Sequence, residues 1–143
     1  MPDAAPVNIR YSREAVVEVE EFRRVLMESG LGNIRPVGDA ERLAAMLANS
    51  NVIVTARRDD AQGTLLGVLR GMTDEAWCCY VSDLAVATSA QGLGVGQGLL
   101  AEARRQLGPE VSIILVSVPE AVGFYRRAGL EVLPNAFWIR RVR

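Results

Sequence analysis

Four glycines alternate with other residues immediately before an amphipathic run, at Gly92, Gly94, Gly96 and Gly98. Glycine accepts positive φ values and lets another molecule approach the backbone closely. The first N–H groups of a helix have no intrahelical acceptor, and the helix dipole adds partial positive charge there. If the following run LLAEARRQL is a helix, the segment predicts an anion-binding loop whose natural ligand is a phosphate or pyrophosphate.

Two common phosphate-binding loops do not match this segment. A P-loop needs a Lys-Ser or Lys-Thr pair after its last glycine, whereas two leucines follow Gly98. The dinucleotide fingerprint GxGxxG needs a third glycine at position 97 or 99, where the chain has Gln97 and Leu99. The pattern that remains is Gln91-x-x-Gly94-x-Gly96.

That pattern resembles the acyl-CoA pyrophosphate loop of the GNAT superfamily of N-acyltransferases, [Gln/Arg]-x-x-Gly-x-[Gly/Ala]. A second segment, AVGFYRRAGLEV (121–132), resembles the second signature of the family, a helix with alanine and tyrosine followed by a [Lys/Arg]-x-Gly turn. The two motifs stand in the family's order, and the resemblance is closest over residues 50–140. The chain is similar to small single-domain bacterial-type members, except that Val118 replaces an asparagine that many members carry.

The resemblance implies that the protein uses acetyl-CoA as cosubstrate and moves the acetyl group to a primary amine by direct transfer in a ternary complex. The strand before the loop would pair through its backbone with pantetheine, like an added strand. Tyr125 would be catalytic, as a hydrogen-bond donor to the departing thiolate. The implied cofactor-binding residues are Leu84, Ala85, Val86, Gln91, Gly92, Leu93, Gly94, Val95, Gly96, Gln97, Phe124 and Tyr125.

Proton transfer sets two further expectations. A tyrosine has a pKa of about 10 and a thiol about 8.5, so complete transfer to the thiolate is uphill by about 2 kcal/mol and Tyr125 would mainly stabilise the anion. An acceptor amine must lose a proton before attack, and the chain has no histidine to take it. Asp83 is the candidate catalytic carboxylate, with a structural hydrogen-bonded aspartate as the alternative, and Tyr80, backbone-bound water and bulk solvent are the other candidates.

Composition limits the class of protein. The chain has 143 residues, half of them apolar, and a net charge of −1, which predicts a single domain over residues 7–143 after a flexible tail at 1–6. No basic field indicates nucleic acid, and no apolar run approaches the ~20 residues of a membrane span. The N-terminal sequence lacks the apolar stretch of a signal peptide, so a cytoplasmic location is expected. Adjacent Cys78 and Cys79 point to opposite faces of a strand and should be packing residues, and without histidine no metal site is expected.

The positions of apolar residues predict the elements that hold these motifs. Ser12 and Asp39 are expected to cap the first two helices, Gly30 ends the first, and Trp77 and Trp138 should pack from strands. The order predicts an α/β (α+β) fold of the GNAT type, with a mixed, mostly antiparallel sheet of about six to seven strands and about four helices. The predicted helices are 13–29, 39–49, 92–107 and 119–128, and the predicted strands are 7–11, 51–58, 64–72, 77–86, 111–117, 130–133 and 136–142.

The acceptor and the partners are less constrained. Residues 12–50 would select the acceptor, and they leave small amines, antibiotics, polyamines, amino acids and protein amines open. The alternative function is a non-catalytic acyl-CoA-binding sensor or partner-binding module, and a structural domain without ligand is a third interpretation. The apolar strand FWIRR (137–141) predicts a homodimer through sheet edges, although Arg140 and Arg141 could blunt such an edge.

Overall fold

A computed structural model describes residues 7–143, so the flexible tail predicted for residues 1–6 lies outside the described part. One five-stranded sheet forms the centre, with strands in the order β1-β2-β3-β4-β5. Short 3₁₀ turns at Leu31–Ile34, Thr88–Ala90 and Pro119–Ala121 join the larger elements. Those elements are β1 (Ile9–Arg13), α1 (Val19–Ser29), α2 (Ala40–Ala48), β2 (Val52–Arg58), β3 (Leu65–Thr73), β4 (Cys78–Val86), α3 (Val95–Leu107), β5 (Ser112–Leu115) and α4 (Val122–Arg127).

The sheet is mixed and mostly antiparallel, as predicted. Strands β1 to β4 pair antiparallel with their sequence neighbours, and β5 joins β4 in parallel after the α3 connection. Helix α3 packs on one face, over a buried cluster that includes Val54, Leu69 and Leu99. Helices α1 and α2 cover the other face, where Phe22 and Leu43 are fully buried. The two cores fix the ends of β4 and α3 relative to each other.

The predicted count of six to seven strands is wrong, because the described chain forms five. Residues 130–133 and 136–142 have the alternating composition of strands but form none. From residue 131 onward the described backbone forms a turn at 134–135 but no strand pairing. A strand pattern becomes a strand only when a neighbouring strand supplies partners for its backbone groups, and no such neighbour lies beside this segment.

The first helix also begins later than predicted. Ser12 does not cap a helix, because Ser12 and Arg13 continue β1 and pair with Thr55 and Val54 of β2. Helix α1 starts at Val19 instead and ends at Gly30, which has φ +86° as expected for a C-terminal glycine. The second cap is confirmed, since the Asp39 carboxylate accepts a hydrogen bond from the Arg42 backbone N–H at 3.0 Å.

The predictions that both tryptophans pack are wrong, and the prediction that both cysteines pack holds for only one of them. Trp77 is 76% exposed just before β4, and Trp138 is 69% exposed in the C-terminal segment, so neither packs in a core. The cysteines lie on opposite faces as predicted, but only Cys79, buried beneath α3, is a packing residue; Cys78 is exposed, so the packing prediction is wrong for it. None of the helices in the described residues is long and apolar enough to cross a membrane.

Candidate functional site

Strands β4 and β5 separate partway along their length. They pair only where Cys78–Val81 lies beside Ser112–Leu115, although β4 continues to Val86. The backbone of Ser82–Val86 therefore has no strand beside it on the β5 side. An unpaired strand edge of this kind can accept an extended ligand through main-chain hydrogen bonds.

A β-bulge at Ser82 directs the side chains of β4. Gly71 of β3 lies opposite Val81 and Arg70 lies opposite Asp83, so Ser82 is an extra residue. A Cβ at Gly71 would lie 2.7 Å from the Tyr80 carbonyl oxygen, which makes glycine necessary beside the bulge. One extra residue reverses which face each later side chain occupies.

Because of the reversal, odd-numbered residues of β4 face one core before the bulge and the other core after it. Cys79 and Val81 lie under α3, whereas Ala85 joins the core beneath α1 and α2. Leu84 and Val86 consequently lie on the α3 face, where the strands have separated. A cleft of about 500 Å³ opens there. Its lining consists of Leu84, Val86, Ala90, Gln91, Gly92, Gly94, Val95, Gly96, Gln97, Ala121, Phe124, Tyr125 and Arg127.

Most of the predicted cofactor-binding positions line this one cleft, although they come from three separate segments. Three predicted site residues lie outside the lining. The Ala85 side chain is buried on the other face, Leu93 is 49% exposed, and Asp83 is buried beneath α1 and α2. The roles assigned to individual residues stay predictions.

The glycine loop presents free backbone donors at the start of α3. Gly92 and Gly94 have φ of +84° and +77°, a conformation that strongly favours glycine. In the described chain the N–H groups of Val95, Gly96 and Gln97 have no hydrogen-bond acceptor. They lie at a helix N-terminus, where the dipole favours an anion. We call this segment, Gly92–Gln97, the cradle.

The other two glycines of the sequence pattern serve packing. A Cβ at Gly96 would lie 2.8 Å from the Phe124 ring, and a Cβ at Gly98 would lie 2.3 Å from the Tyr11 ring. A side chain at Gly96 would therefore displace Phe124 before it reached a ligand in the cleft. Gly98 instead lets β1 approach α3.

Tyr125 lies in α4 beside the cradle. Its ring packs edge-on against Phe124, with centroids 5.1 Å apart and an interplanar angle of 76°. Within the described residues its hydroxyl group makes no hydrogen bond. Burial raises the pKa of Tyr125 above its ordinary value, so the phenol stays protonated at neutral pH. The arrangement provides a neutral O–H donor at the cleft wall.

Asp83 is held by two arginines. Its Oδ1 accepts from Arg35 Nε at 2.6 Å and its Oδ2 accepts from Arg70 Nε at 2.5 Å, and the carboxylate is fully buried. Arg70 also donates to the Ser50 hydroxyl at 2.9 Å, and Arg35 donates to the Ser82 carbonyl at 2.7 Å. We call these five residues the Asp83 brace. The brace connects the loop before α2 to strands β3 and β4.

The cleft contains no group of the usual general-base type. Its lining has no carboxylate and no histidine, and both oxygens of Asp83 already accept hydrogen bonds. Tyr80, on the paired part of β4, also lies outside the lining. Within the described residues, no cluster of three or more His, Cys, Asp or Glu side chains is placed to hold a metal ion.

Arg127 lines the cleft, and the sequence did not single it out as a binding residue. It occupies the last turn of α4 and forms no ion pair with any other described residue. A cation beside a cradle of N–H donors adds to the attraction for a phosphate. The available signal was its position in the Arg127-x-Gly129 turn of the second motif, directly after Phe124 and Tyr125.

Comparison with known proteins identifies the family. A family model described as "Acetyltransferase (GNAT) domain" matches residues 48–132. Among curated proteins, an uncharacterised N-acetyltransferase, ycf52, of Pyropia yezoensis is 29% identical over 71% of this chain and 62% of its own length. Serotonin N-acetyltransferase 2, chloroplastic, of Oryza sativa subsp. japonica is 33% identical over 71% of this chain and 52% of its own.

Solved structures agree with that match. A GNAT family acetyltransferase from Streptococcus pneumoniae TIGR4 superposes with a TM-score of 0.69 at 26% identity, over 94% of this chain and 99% of the other. The chain spans about three fifths of the length of the first curated relatives it matches. The matched region contains β2 to β5, the cradle and Tyr125. The chain belongs to the GNAT family of acetyltransferases.

Proposed function

We propose that this protein is an N-acetyltransferase that moves an acetyl group from acetyl-CoA to a primary amine by direct transfer in a ternary complex. The observation that carries the proposal is the coincidence of three features in one cleft. These are the unpaired edge of Ser82–Val86, the free N–H donors of the cradle, and the hydroxyl of Tyr125. An extended thioester with a pyrophosphate at one end needs all three.

Each feature has a distinct role in the proposal. The edge of β4 would bind the amide groups of pantetheine, while the cradle and Arg127 would bind the pyrophosphate. Gln91 Nε2 donates to the Val86 carbonyl at 3.4 Å, a long contact that a ligand amide could replace. Acetyl-CoA supplies the activated acyl carbon, and the chain supplies position and hydrogen bonds.

Tyr125 would stabilise the thiolate as the C–S bond breaks. A raised pKa keeps the phenol protonated, and it also makes full proton transfer less favourable. Hydrogen bonding in a partly buried site is therefore its main contribution, and such interactions strengthen as charge develops in the transition state.

Solvent is the base that best fits this cleft. The lining lacks a carboxylate, and the Asp83 carboxylate would have to leave two arginines to accept a proton. We propose that the amine loses its proton to water at the open end of the cleft. A catalytic role for Asp83 stays a prediction, as do the cytoplasmic location, the identity of the acceptor and the homodimer.

The same absence of a base favours one alternative. A GNAT-fold module that binds acyl-CoA without turnover, as a sensor or partner-binding protein, would need the cradle and the β4 edge but no base. Both functions predict cofactor binding, and only the enzyme predicts thiol release with an amine.

A matched pair of glycine variants tests the binding site. Gly94 and Gly30 both have left-handed helical backbone, with φ of +77° and +86° and ψ of 16° and −12°, and neither has an atom within 4 Å of the position a Cβ would take. Alanine at either site should cost about 1–2 kcal/mol of stability from backbone strain. Only Gly94→Ala places a methyl group in the cradle, so only it should weaken CoA binding in calorimetry.

The enzymatic step is tested next, with the wild-type protein, acetyl-CoA and a panel of amines scored by free thiol. Release above the background hydrolysis rate supports the enzyme. Tight acetyl-CoA binding without release from any amine would favour the sensor. Equal CoA affinity of the Gly94→Ala and Gly30→Ala proteins would refute the cradle itself.

A further inference from the structure

We propose that the acceptor of this protein is the α-amino group of a peptide whose first side chain is large and apolar. This inference rests on the acetyl transfer proposed above, and it names the class of amine that the site would accept. Three observations carry it, namely the face of the sheet that is open to an acceptor, the side chains on that face, and the lack of a base.

The position of the cradle sets the direction in which acetyl-CoA would lie along β4. The cradle follows the Val86 end of the unpaired edge, so the pyrophosphate would lie at that end. The thioester would then lie near Ser82, directly after the last residue that pairs with β5, Val81. Pantetheine would occupy the α3 face, where Leu84 and Val86 line the cleft. An amine that attacks the thioester must therefore approach from the opposite face.

That opposite face carries a row of uncharged side chains beside the point where β4 and β5 separate. Met72 of β3 pairs with Tyr80 of β4, and Tyr80 pairs with Ile114 of β5. Directly paired residues place their side chains on one face, and this face lies away from α3, because Cys79 and Ile113 pack beneath that helix. The three side chains are 37%, 43% and 41% exposed, so α1 and α2 leave them uncovered. We call Met72, Tyr80 and Ile114 the open row.

The open row borders the Asp83 brace, because the Ser50 hydroxyl of the brace lies 3.7 Å from the Met72 sulfur. The brace contains two guanidinium groups, of Arg35 and Arg70, but only one carboxylate. In the described chain neither arginine pairs with a second acid. The excess positive charge repels an acceptor that carries an additional cation, such as a polyamine or a lysine-rich peptide.

The lack of a base selects among amines by their own pKa. Among the described residues, neither the cleft lining nor the open row has a carboxylate or a histidine, and Asp83 is held by two arginines. At pH 7 the α-amino group of a peptide, with a pKa of about 7.7–8.0, is neutral about 200–400-fold more often than a lysine amine with a pKa of about 10.4. When no base assists, the neutral fraction limits the rate, so a peptide N-terminus is the favoured acceptor.

The open row favours a large apolar first residue. With the α-amine at the thioester, the first side chain of the peptide would lie against Tyr80 and Ile114. Contact with them removes apolar surface from water on both partners, and an aromatic first residue can also pack against the Tyr80 ring. Because the row lies on an open face, the remainder of the peptide can continue outward along the surface. A small free amine would keep much of its surface in water there, unlike a ligand in an enclosed pocket.

A matched pair of acceptors tests the class of amine. Phenylalanyl-glycinamide and 2-phenylethylamine share the ring and its spacing from the nitrogen, but only the peptide amine has a pKa lowered by an adjacent carbonyl group. With acetyl-CoA at pH 7, the wild-type protein should show a kcat/KM at least tenfold higher for the peptide, scored by free thiol. The ratio should shrink as the pH is raised to 9, because the neutral fraction of 2-phenylethylamine then increases.

The outcomes separate this inference from the proposed function. Equal or faster transfer to 2-phenylethylamine, or to the side-chain amine of Nα-acetyl-lysinamide, would overturn the peptide N-terminus as acceptor and would leave the acetyltransferase function standing. An absence of thiol release with every acceptor at saturating acetyl-CoA would overturn both.

Substitutions test the open row itself. The ratio of kcat/KM for phenylalanyl-glycinamide to that for glycyl-glycinamide measures selection of the first side chain, and in the wild type it should be about tenfold or more. Ile114→Ser and Met72→Ser should each reduce this ratio several-fold, because each removes apolar surface from the row. Trp77→Ala is the control, since Trp77 is 76% exposed just before β4 and outside the row, and it should keep the ratio. An unchanged ratio in both serine variants, or an equal reduction in Trp77→Ala, would overturn the assignment of the open row.

Discussion

The polar groups on the two faces of β4 differ in whether they have hydrogen-bond partners within the chain. On the α1–α2 face, both oxygens of Asp83 accept hydrogen bonds, one from the buried Arg70 and one from the partly buried Arg35, and those arginines are bonded to loop and strand groups in turn. On the cleft face, the donors of the cradle and the hydroxyl of Tyr125 have no partner in the described chain. Buried polar groups are normally satisfied, so the set around Asp83 stabilises the fold. The donors of the cradle lie at an accessible helix N-terminus, where an anionic ligand is favoured.

The charged groups on the two faces differ in the same way, because those of the brace are paired and the one in the cleft is not. The Asp83 brace contains one carboxylate and two guanidinium groups held by short contacts; the carboxylate and Arg70 are buried, and Arg35 is partly exposed. The cleft has one cation, Arg127, which is exposed and forms no ion pair within the described residues. The difference implies that variants of the brace should affect stability first, and variants of the cleft should affect binding and turnover first.

The largest expected effect is on turnover. Tyr125→Phe removes one hydroxyl group and keeps the ring that packs against Phe124. If the phenol stabilises the thiolate, kcat should fall by about 10²–10⁴, with acetyl-CoA affinity nearly unchanged because the interaction forms mainly in the transition state. Steady-state kinetics with calorimetry measures both quantities.

Two outcomes would change this interpretation. A fall of less than about tenfold would mean that the thiolate leaves unaided and is protonated by water, an outcome consistent with the unfavourable pKa order of phenol and thiol. A loss of acetyl-CoA affinity, together with a wild type that releases no thiol, would make Tyr125 a binding residue.

The brace should give the largest effect on stability. Asp83→Ala leaves two guanidinium groups without their anion, one of them the buried Arg70, and removing one partner of a buried pair costs about 3–5 kcal/mol. Urea unfolding of the variant measures this. Asp59→Ala is the control, because Asp59 pairs with Arg10 at an exposed site, where the loss should stay below about 1 kcal/mol.

A second substitution of Asp83 directly tests whether this residue is the catalytic base. Asp83→Asn keeps the shape of the side chain and removes its charge. If that variant unfolds at the wild-type urea concentration and binds acetyl-CoA normally but has lost turnover, Asp83 acts as the base and the structural role is wrong.

Local sequence signals predicted much of the fold and of the site. Alternation predicted β2 to β4 and their hairpins, and the glycine spacing predicted a strand-to-helix loop that the structure has at Gly92–Gln97. The resemblance to the family implied that Tyr125 would lie near that loop. Each of these depends on residues close together in the chain or on a motif of fixed length.

The features that were missed depend on distant partners. The bulge at Ser82 follows from the register of β3, and it decides that Asp83 turns away from the cleft. The partners of Asp83 lie at Arg35 and Arg70, which no local pattern connects to it. The late start of α1 reflects pairing of Ser12 and Arg13 with β2, and the missing C-terminal strands reflect the absence of a neighbouring strand.

A smaller effect is expected from the cation of the cleft. Arg127→Gln should weaken CoA binding about tenfold, and the loss should shrink as salt is added. Pantetheine, which lacks the phosphates, should bind the variant and the wild type equally. Arg126→Gln is the matched control, because Arg126 is the adjacent arginine and does not line the cleft. Equal losses for CoA and pantetheine would assign Arg127 to packing.

The smallest effect is expected at a second group of paired charges, Arg57 with Glu14 and Glu21, which is partly exposed. Arg57 donates to Glu14 at 2.7 Å and to Glu21 at 2.9 Å. The hydrogen bond from Arg57 lowers the pKa of Glu21. For Glu14, burial raises the pKa, but hydrogen bonds from Arg57 and Thr55 together outweigh it and the net shift is downward.

Lowered carboxyl pKa values stabilise the fold above the unfolded-state pKa of about 4.3, and that stability is lost as pH falls through the folded-state values. Between pH 7 and pH 3, the wild type should therefore lose about 1 kcal/mol more unfolding free energy than Arg57→Gln does. Arg58→Gln should follow the wild type, because the acid nearest to Arg58 is 3.9 Å away. Parallel pH profiles for wild type and Arg57→Gln, measured by urea unfolding, would mean that this partly exposed cluster adds no pH-dependent stability, in contrast to the stability expected from the buried Asp83 brace.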